Sequence, residues 1–107
     1  MPVCIEILKW KSKEGVNDDQ TIDAVNNMVS DLQECEGFIH QSLYKIDDAW
    51  CDVYYWRDEQ CAHNSNDFMG EKNSLVRLMS LIDVETVSME VSESRQSSGD
   101  LNVKFSL

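Results

Sequence analysis

The hydrophobic periodicity of this chain switches from two to about 3.6 and back, and it does so twice. Val3, Ile5 and Ile7 alternate with Cys4, Glu6 and Leu8, which predicts a strand over residues 2–11. Asn17, with Gln20 three residues on, has the form of a capping box. Behind it Ile22, Val25, Val29 and Leu32 step by three and four, with Met28 and Cys35 flanking, so a helix is predicted over residues 18–35. Gly37 sits where a left-handed residue would end it. Residues 38–46 and 49–57 read as strands joined by a tight Asp47-Asp48 turn. Asp58 can cap a second helical region to about residue 82, interrupted at Gly70, and Val84 to Val91 reads as a fourth strand.

The order is therefore β-α-β-β-α-β, an α+β, ferredoxin-like arrangement with a four-stranded antiparallel sheet and both helical regions on one face. One domain is expected over residues 1–92. From Ser92 the composition turns to Ser, Glu, Gln, Gly and Asp, so residues 93–107 are expected to form a flexible tail. Within it Leu101, Val103, Phe105 and Leu107 alternate with polar residues and could add an edge strand, in this subunit or a neighbour.

Charge narrows the partners. Nine Lys and Arg against 20 Asp and Glu give a formal net charge of −11. Such a surface repels phosphate backbones and anionic lipid, so neither nucleic acid nor membrane is an expected partner. No apolar run approaches the length of a membrane span. The first residues, Met-Pro-Val-Cys-Ile-Glu, lack a basic n-region, and Cys4, Cys35, Cys51 and Cys61 form no C-x-x-C pair. Free thiols in a cytoplasmic protein are expected, with no thiolate zinc site.

Strand parity suggests where chemistry could lie. Val3, Ile5, Ile7, Cys51, Val53 and Tyr55 form one aliphatic set, joined by Ile39, Leu43, Val87, Met89 and Val91, and are expected under the helices. The other parity carries Trp10, Phe38, His40, Tyr44, Trp50, Asp52, Tyr54 and Trp56, with Glu6 and Glu90. So many rings are too apolar for a wet face. A second copy of the chain, sheet against sheet about a two-fold axis, is the simplest cover, with a small-molecule pocket between the two sheets. Plain packing or interfacial roles are the alternative for each of these side chains.

The segment Tyr54-Tyr55-Trp56-Arg57-Asp58-Glu59-Gln60-Cys61-Ala62-His63, followed by Phe68, resembles the strand-to-helix junction of the antibiotic biosynthesis monooxygenase family. Gly37-Phe38 and Leu81-Ile82-Asp83 also suit it. The resemblance spans residues 2–92 and implies the dimeric α+β barrel fold. It also implies oxidation of a phenolic, polycyclic substrate without metal, flavin or other cofactor. Trp56 matches the family's pocket tryptophan, and Asp52 stands where a polar Asn can occur. The catalytic candidates are then His40, Asp52 and Trp56, with His40 or Asp52 as base. Trp10, Tyr44, Trp50 and Tyr54 are candidate substrate contacts, and Arg77 could meet a developing anion. The same superfamily holds stress-responsive, haem-degrading and non-catalytic members. A dimeric barrel that binds a small ligand without turnover is the alternative reading.

Overall fold

The structure is a computed structural model and describes residues 3–99. The strands are β1 (Cys4–Ser12), β2 (Phe38–Ile46), β3 (Ala49–Trp56) and β4 (Ile82–Glu93). Four helical segments lie between them: α1 (Asp18–Asn26), α2 (Val29–Gln33), α3 (Glu59–Gly70) and α4 (Asn73–Met79). The sheet is antiparallel throughout, in the order β2-β3-β1-β4, and the fold is the predicted α+β, ferredoxin-like one. Among the described residues no helix is long and apolar enough to cross a membrane. The alternating segment from Leu101 to Leu107 lies outside the described residues.

Local signals account for the element ends. Asn17 and Gln20 form the capping box of α1, each side chain bonding the other's backbone N–H at 2.9 Å. Asp58 caps α3 by accepting from the Cys61 N–H at 2.8 Å. The predicted long first helix is two short ones, α1 and α2. Its buried stripe is Thr21, Ala24, Val25, Met28, Leu32 and Cys35, while Ile22 is exposed. The small Thr21 and Ala24 face inward because the sheet beneath them is crowded with indoles. The helix is thus rotated by about one residue from the orientation that hydrophobicity alone suggests.

The faces of the sheet are the main correction. Residues directly opposite in an antiparallel ladder share a face. Cys4 pairs with Trp56, Glu6 with Tyr54, Leu8 with Asp52 and Trp10 with Trp50, and this set lies beneath the helices. The predicted aliphatic set, Ile5, Ile7, Val53 and Tyr55, faces away and is only half-buried. Strand β4 joins as Leu8 opposite Met89 and Glu6 opposite Val91, so its apolar parity is on the helical side. Strand β2 contributes Leu43 there, opposite Asp52. A bulge between Phe38 and His40 leaves Phe38 beside Trp56 but sends His40, Ser42 and Tyr44 to the open face.

Gly37 joins α2 to β2 with φ of 80°, and its carbonyl accepts from the Arg57 N–H at 2.7 Å. A Cβ there would lie 2.5 Å from the Cys61 sulfur. Both the left-handed backbone and the lack of space demand glycine. Gly37→Ala is expected to cost roughly 2–4 kcal/mol, combining left-handed strain with overpacking. Urea denaturation of the two proteins side by side measures it; a loss below about 1 kcal/mol would show that the α2–β2 corner relaxes freely.

Candidate functional site

The core beneath the helices contains two carboxyls, which is where simple packing stops being a sufficient description. Glu6 is 4% exposed and Asp52 is fully buried. Buried carboxyls need donors. The Trp56 indole N–H donates to Glu6 Oε1 at 3.0 Å. Asp52 accepts from Gln41 Nε2 at 2.6 Å on one oxygen and from the Tyr54 hydroxyl on the other. All of these side chains occupy the helix-facing parity of β1, β2 and β3, so the pleat alone brings them together. The Tyr54 and Trp56 rings stack with centroids 6.2 Å apart, and Phe38 meets Trp56 edge-on at 5.6 Å.

Burial dominates the electrostatics. It lifts the Glu6 carboxyl above its ordinary value; the Trp56 hydrogen bond opposes this, the nearby Asp52 charge adds to it, and His63 on α3 opposes it weakly. Burial raises Asp52 to about 6, against the pull of its two hydrogen bonds. Tyr54, buried and beside Asp52, is pushed well above the ordinary phenol value and stays protonated.

A cavity of about 80 Å³ opens against Glu6. Its floor is Glu6, Leu8, Tyr54, Trp56 and Met89 from the sheet. Its roof is Met28 and Leu32 near α2, with Ser65, Asn66 and Met69 of α3 and Leu75 of α4. The cavity therefore lies between the sheet and the helices of one chain, not between two sheets as parity had suggested. The physical reason is the face inversion: the ring-bearing face is the one the helices cover.

The predicted site residues divide accordingly. Asp52, Tyr54 and Trp56 stand together, and of these Tyr54 and Trp56 line the cavity. Trp10 and Trp50 are buried on the same face further along the strands; the Trp50 indole donates to Ser12 Oγ at 3.2 Å, and the Trp10 N–H has no partner. His40 is on the open face, 2.9 Å from Ser42 Oγ and tilted against Tyr55. Tyr44 is exposed on that face too. Arg77 lies on the surface of α4, 3.5 Å from Asp23. Glu6, which sequence reasoning had set among the scattered polar residues of that face, is the cavity's carboxylate. Its signal was present: an acid flanked by Ile5 and Ile7 in a central strand. Among the described residues, no group of three or more His, Cys, Asp or Glu is placed to hold a metal ion.

Solved structures share this fold. The chain superposes on SnoaB, a cofactor-independent oxygenase from Streptomyces nogalater, with a TM-score of 0.75 at 12% identity, over 94% of this chain and 100% of that one. It superposes on NE2512, a protein of unknown function from Nitrosomonas europaea, with a TM-score of 0.71 at 12% identity, covering 94% and 96%. A protein from Chloroflexus aurantiacus J-10-fl named after the antibiotic biosynthesis monooxygenases gives 0.67 at 13% identity, covering 91% and 97%. No protein-family model matches the chain, and no curated protein matches it in sequence. The architecture is thus that of the antibiotic biosynthesis monooxygenase fold. At these identities the likeness is one of fold.

The raised Asp52 has a thermodynamic consequence. Its folded pKa, about 6, lies above the unfolded value of 3.8, so between these two the native state binds more protons. The stabilisation is fully present below the unfolded value and is lost as pH rises through the folded one. Relative to Asp52→Asn, the wild type is expected to lose on the order of 3 kcal/mol between about pH 4 and pH 7. Chemical denaturation of both proteins across that range tests this; parallel pH profiles would show that Asp52 is not the titrating group.

Proposed function

We propose that the chain is a cofactor-independent oxygenase-type protein that binds a small hydroxylated aromatic molecule between its sheet and its helices. The observation that carries this reading is Glu6: a carboxyl of raised pKa in an apolar cavity, held by the Trp56 indole. A base with a pKa nearer neutrality is matched to taking a phenolic proton. The transfer moves a negative charge from Glu6 to the substrate without adding a second one. The Glu6 carboxyl, once protonated, can donate back to the new phenolate, and the Trp56 N–H remains beside it. The substrate is also the reductant. Its O–H and a ring C–H are lost, a ring carbonyl forms from one atom of dioxygen, and the other atom leaves as water. The side chains of the chain need not change oxidation state.

In this reading Trp56 and Tyr54 position the ring, and Asp52 is a positioning residue that fixes the Tyr54 hydroxyl. His40, Tyr44 and Arg77 stand away from the cavity and take no part. A specific observation favours a second reading, binding without turnover. Among the described residues no Lys, Arg or His lines the cavity, and the positive influence on Glu6 comes from the exposed His63 outside it.

Oxygen uptake with single- and fused-ring phenols separates the two. Glu6→Gln is expected to lower uptake about 10²- to 10⁴-fold while His40→Ala leaves it unchanged. Saturable binding with no uptake by the wild type would leave the second reading standing.

The open face supports a homodimer. Ile5, Ile7, Val53 and Tyr55 are only half-covered, and Tyr44 is 54% exposed beside them. A contiguous apolar face of this kind calls for a partner, and a second copy packed sheet to sheet covers it symmetrically. Light scattering is expected to report a dimer for the wild type and a folded monomer for Ile7→Lys. A monomeric wild type at micromolar concentration would rule the pairing out.

A further inference from the structure

We infer that the cavity selects neutral single-ring phenols, against both fused-ring and carboxylated ones, and that its three methionines set the size limit; this rests on the binding half of the reading above. Two independent observations lead here. The first is volume. The cavity measures about 80 Å³, whereas an apolar cavity of about 150 Å³ holds benzene in another protein, and drug-sized pockets reach about 300 Å³ or more. Even one ring requires a wall to move.

The walls that can move are Met28, Met69 and Met89. Thioether side chains are unbranched and adaptable, so a rotamer change in one or two of them opens space without shifting backbone. Met89 is 52% exposed on β4, at the solvent side of the cavity, while Met28 and Met69 are buried. In the rest of the roof Leu32 and Ser65 are buried in the core, whereas Asn66 is exposed and Leu75 half-buried. A second fused ring held inside the space would have to displace Leu32 or Ser65.

The second observation is charge. Among the described residues the ionisable side chain on the cavity, apart from the high-pKa Tyr54, is Glu6, and Asp52 lies two residue pairs along the ladder on the same face. Among the described residues no basic side chain lines the space. A ligand carrying its own carboxylate would bring a second anion beside Glu6, where the opposing positive influence comes from the exposed His63 on α3 and not from a lining side chain. A neutral phenol brings a donor that the Glu6 carboxylate can accept.

The test is binding under argon, so that turnover plays no part, followed by tryptophan fluorescence with phenol, 2-naphthol and 4-hydroxybenzoate. Phenol is expected to bind at least tenfold more tightly than either of the others. Met89→Ala, at a half-exposed position, is expected to narrow the phenol–naphthol gap at least threefold, and Met69→Ala to do so further if it folds. Glu6→Gln is expected to narrow the phenol–hydroxybenzoate gap at least threefold without changing the naphthol one. Naphthol binding as tightly as phenol in the wild type, or an unchanged gap in Met89→Ala, overturns the size limit. Equal binding of hydroxybenzoate overturns the charge selection. Selective binding without aerobic oxygen uptake leaves this inference intact and defeats the oxygenase reading instead.

Discussion

Two carboxyls under the helical layer set the terms for everything around them. Glu6 and Asp52 are each buried, and each must be given hydrogen-bond donors from a scaffold that is otherwise apolar. The donors are Trp56 for Glu6, and Tyr54 with Gln41 for Asp52. Three of the five residues alternate along β3, one lies opposite on β1 and one on β2. The arrangement works only in one register. A one-residue slip of β1 or β2 against β3 would turn an acid or its donor to the other face, so the polar network and the strand pairing specify each other. The same crowding of rings dictates small inward residues on the helices, such as Thr21, Ala24, Ala62 and Ser65.

The network is asymmetric, and that asymmetry separates structure from chemistry. Asp52 has both oxygens engaged and does not reach the cavity. Glu6 has one donor, the Trp56 indole, and lines the open space. A fully bonded buried acid serves to hold its partners; one with spare acceptor capacity facing a void is available to a ligand. Of the two bases expected from the resemblance, His40 lies on the open face and Asp52 is fully bonded, and the acid that meets the cavity is Glu6, two residue pairs along the β1–β3 ladder from Asp52.

Much of the architecture was legible because local signals and periodicity agreed. The Asn17–Gln20 capping box, the Gly37 corner, the Asp47-Asp48 turn and the alternation in β1 each pointed to the observed element. Aliphatic alternation alone points to the wrong face of the sheet as the core. In fact Ile5, Ile7 and Val53 are the half-covered residues, and tryptophans fill the interior. The hairpin held a corrective signal. A two-residue turn pairs Ile46 with Ala49, so even positions of β2 must face odd positions of β3. Applied strictly, that register already separates His40 and Tyr44 from Asp52 and Trp56. The bulge at Ile39, which splits Phe38 from His40, left no comparable mark, because nothing in the local residue types demands it.

The division of the sheet also decides what kind of proton chemistry the cavity can support. The imidazole of His40 and the guanidinium of Arg77 lie outside it, and among the described residues the cavity is lined by one acid, Glu6, with rings, thioethers, leucines, Ser65 and Asn66. A largely apolar site of that kind tolerates one negative charge and resists two. Proton transfer from a neutral ligand to Glu6 satisfies this, since the charge relocates within the same hydrogen-bonded pair and its number is conserved. Any reaction that builds a further anion beside ionised Glu6 does not. Among the described residues no cationic side chain lines the cavity, so its lining suits a ligand that shares one charge with Glu6 better than one that needs a fixed positive group beside it.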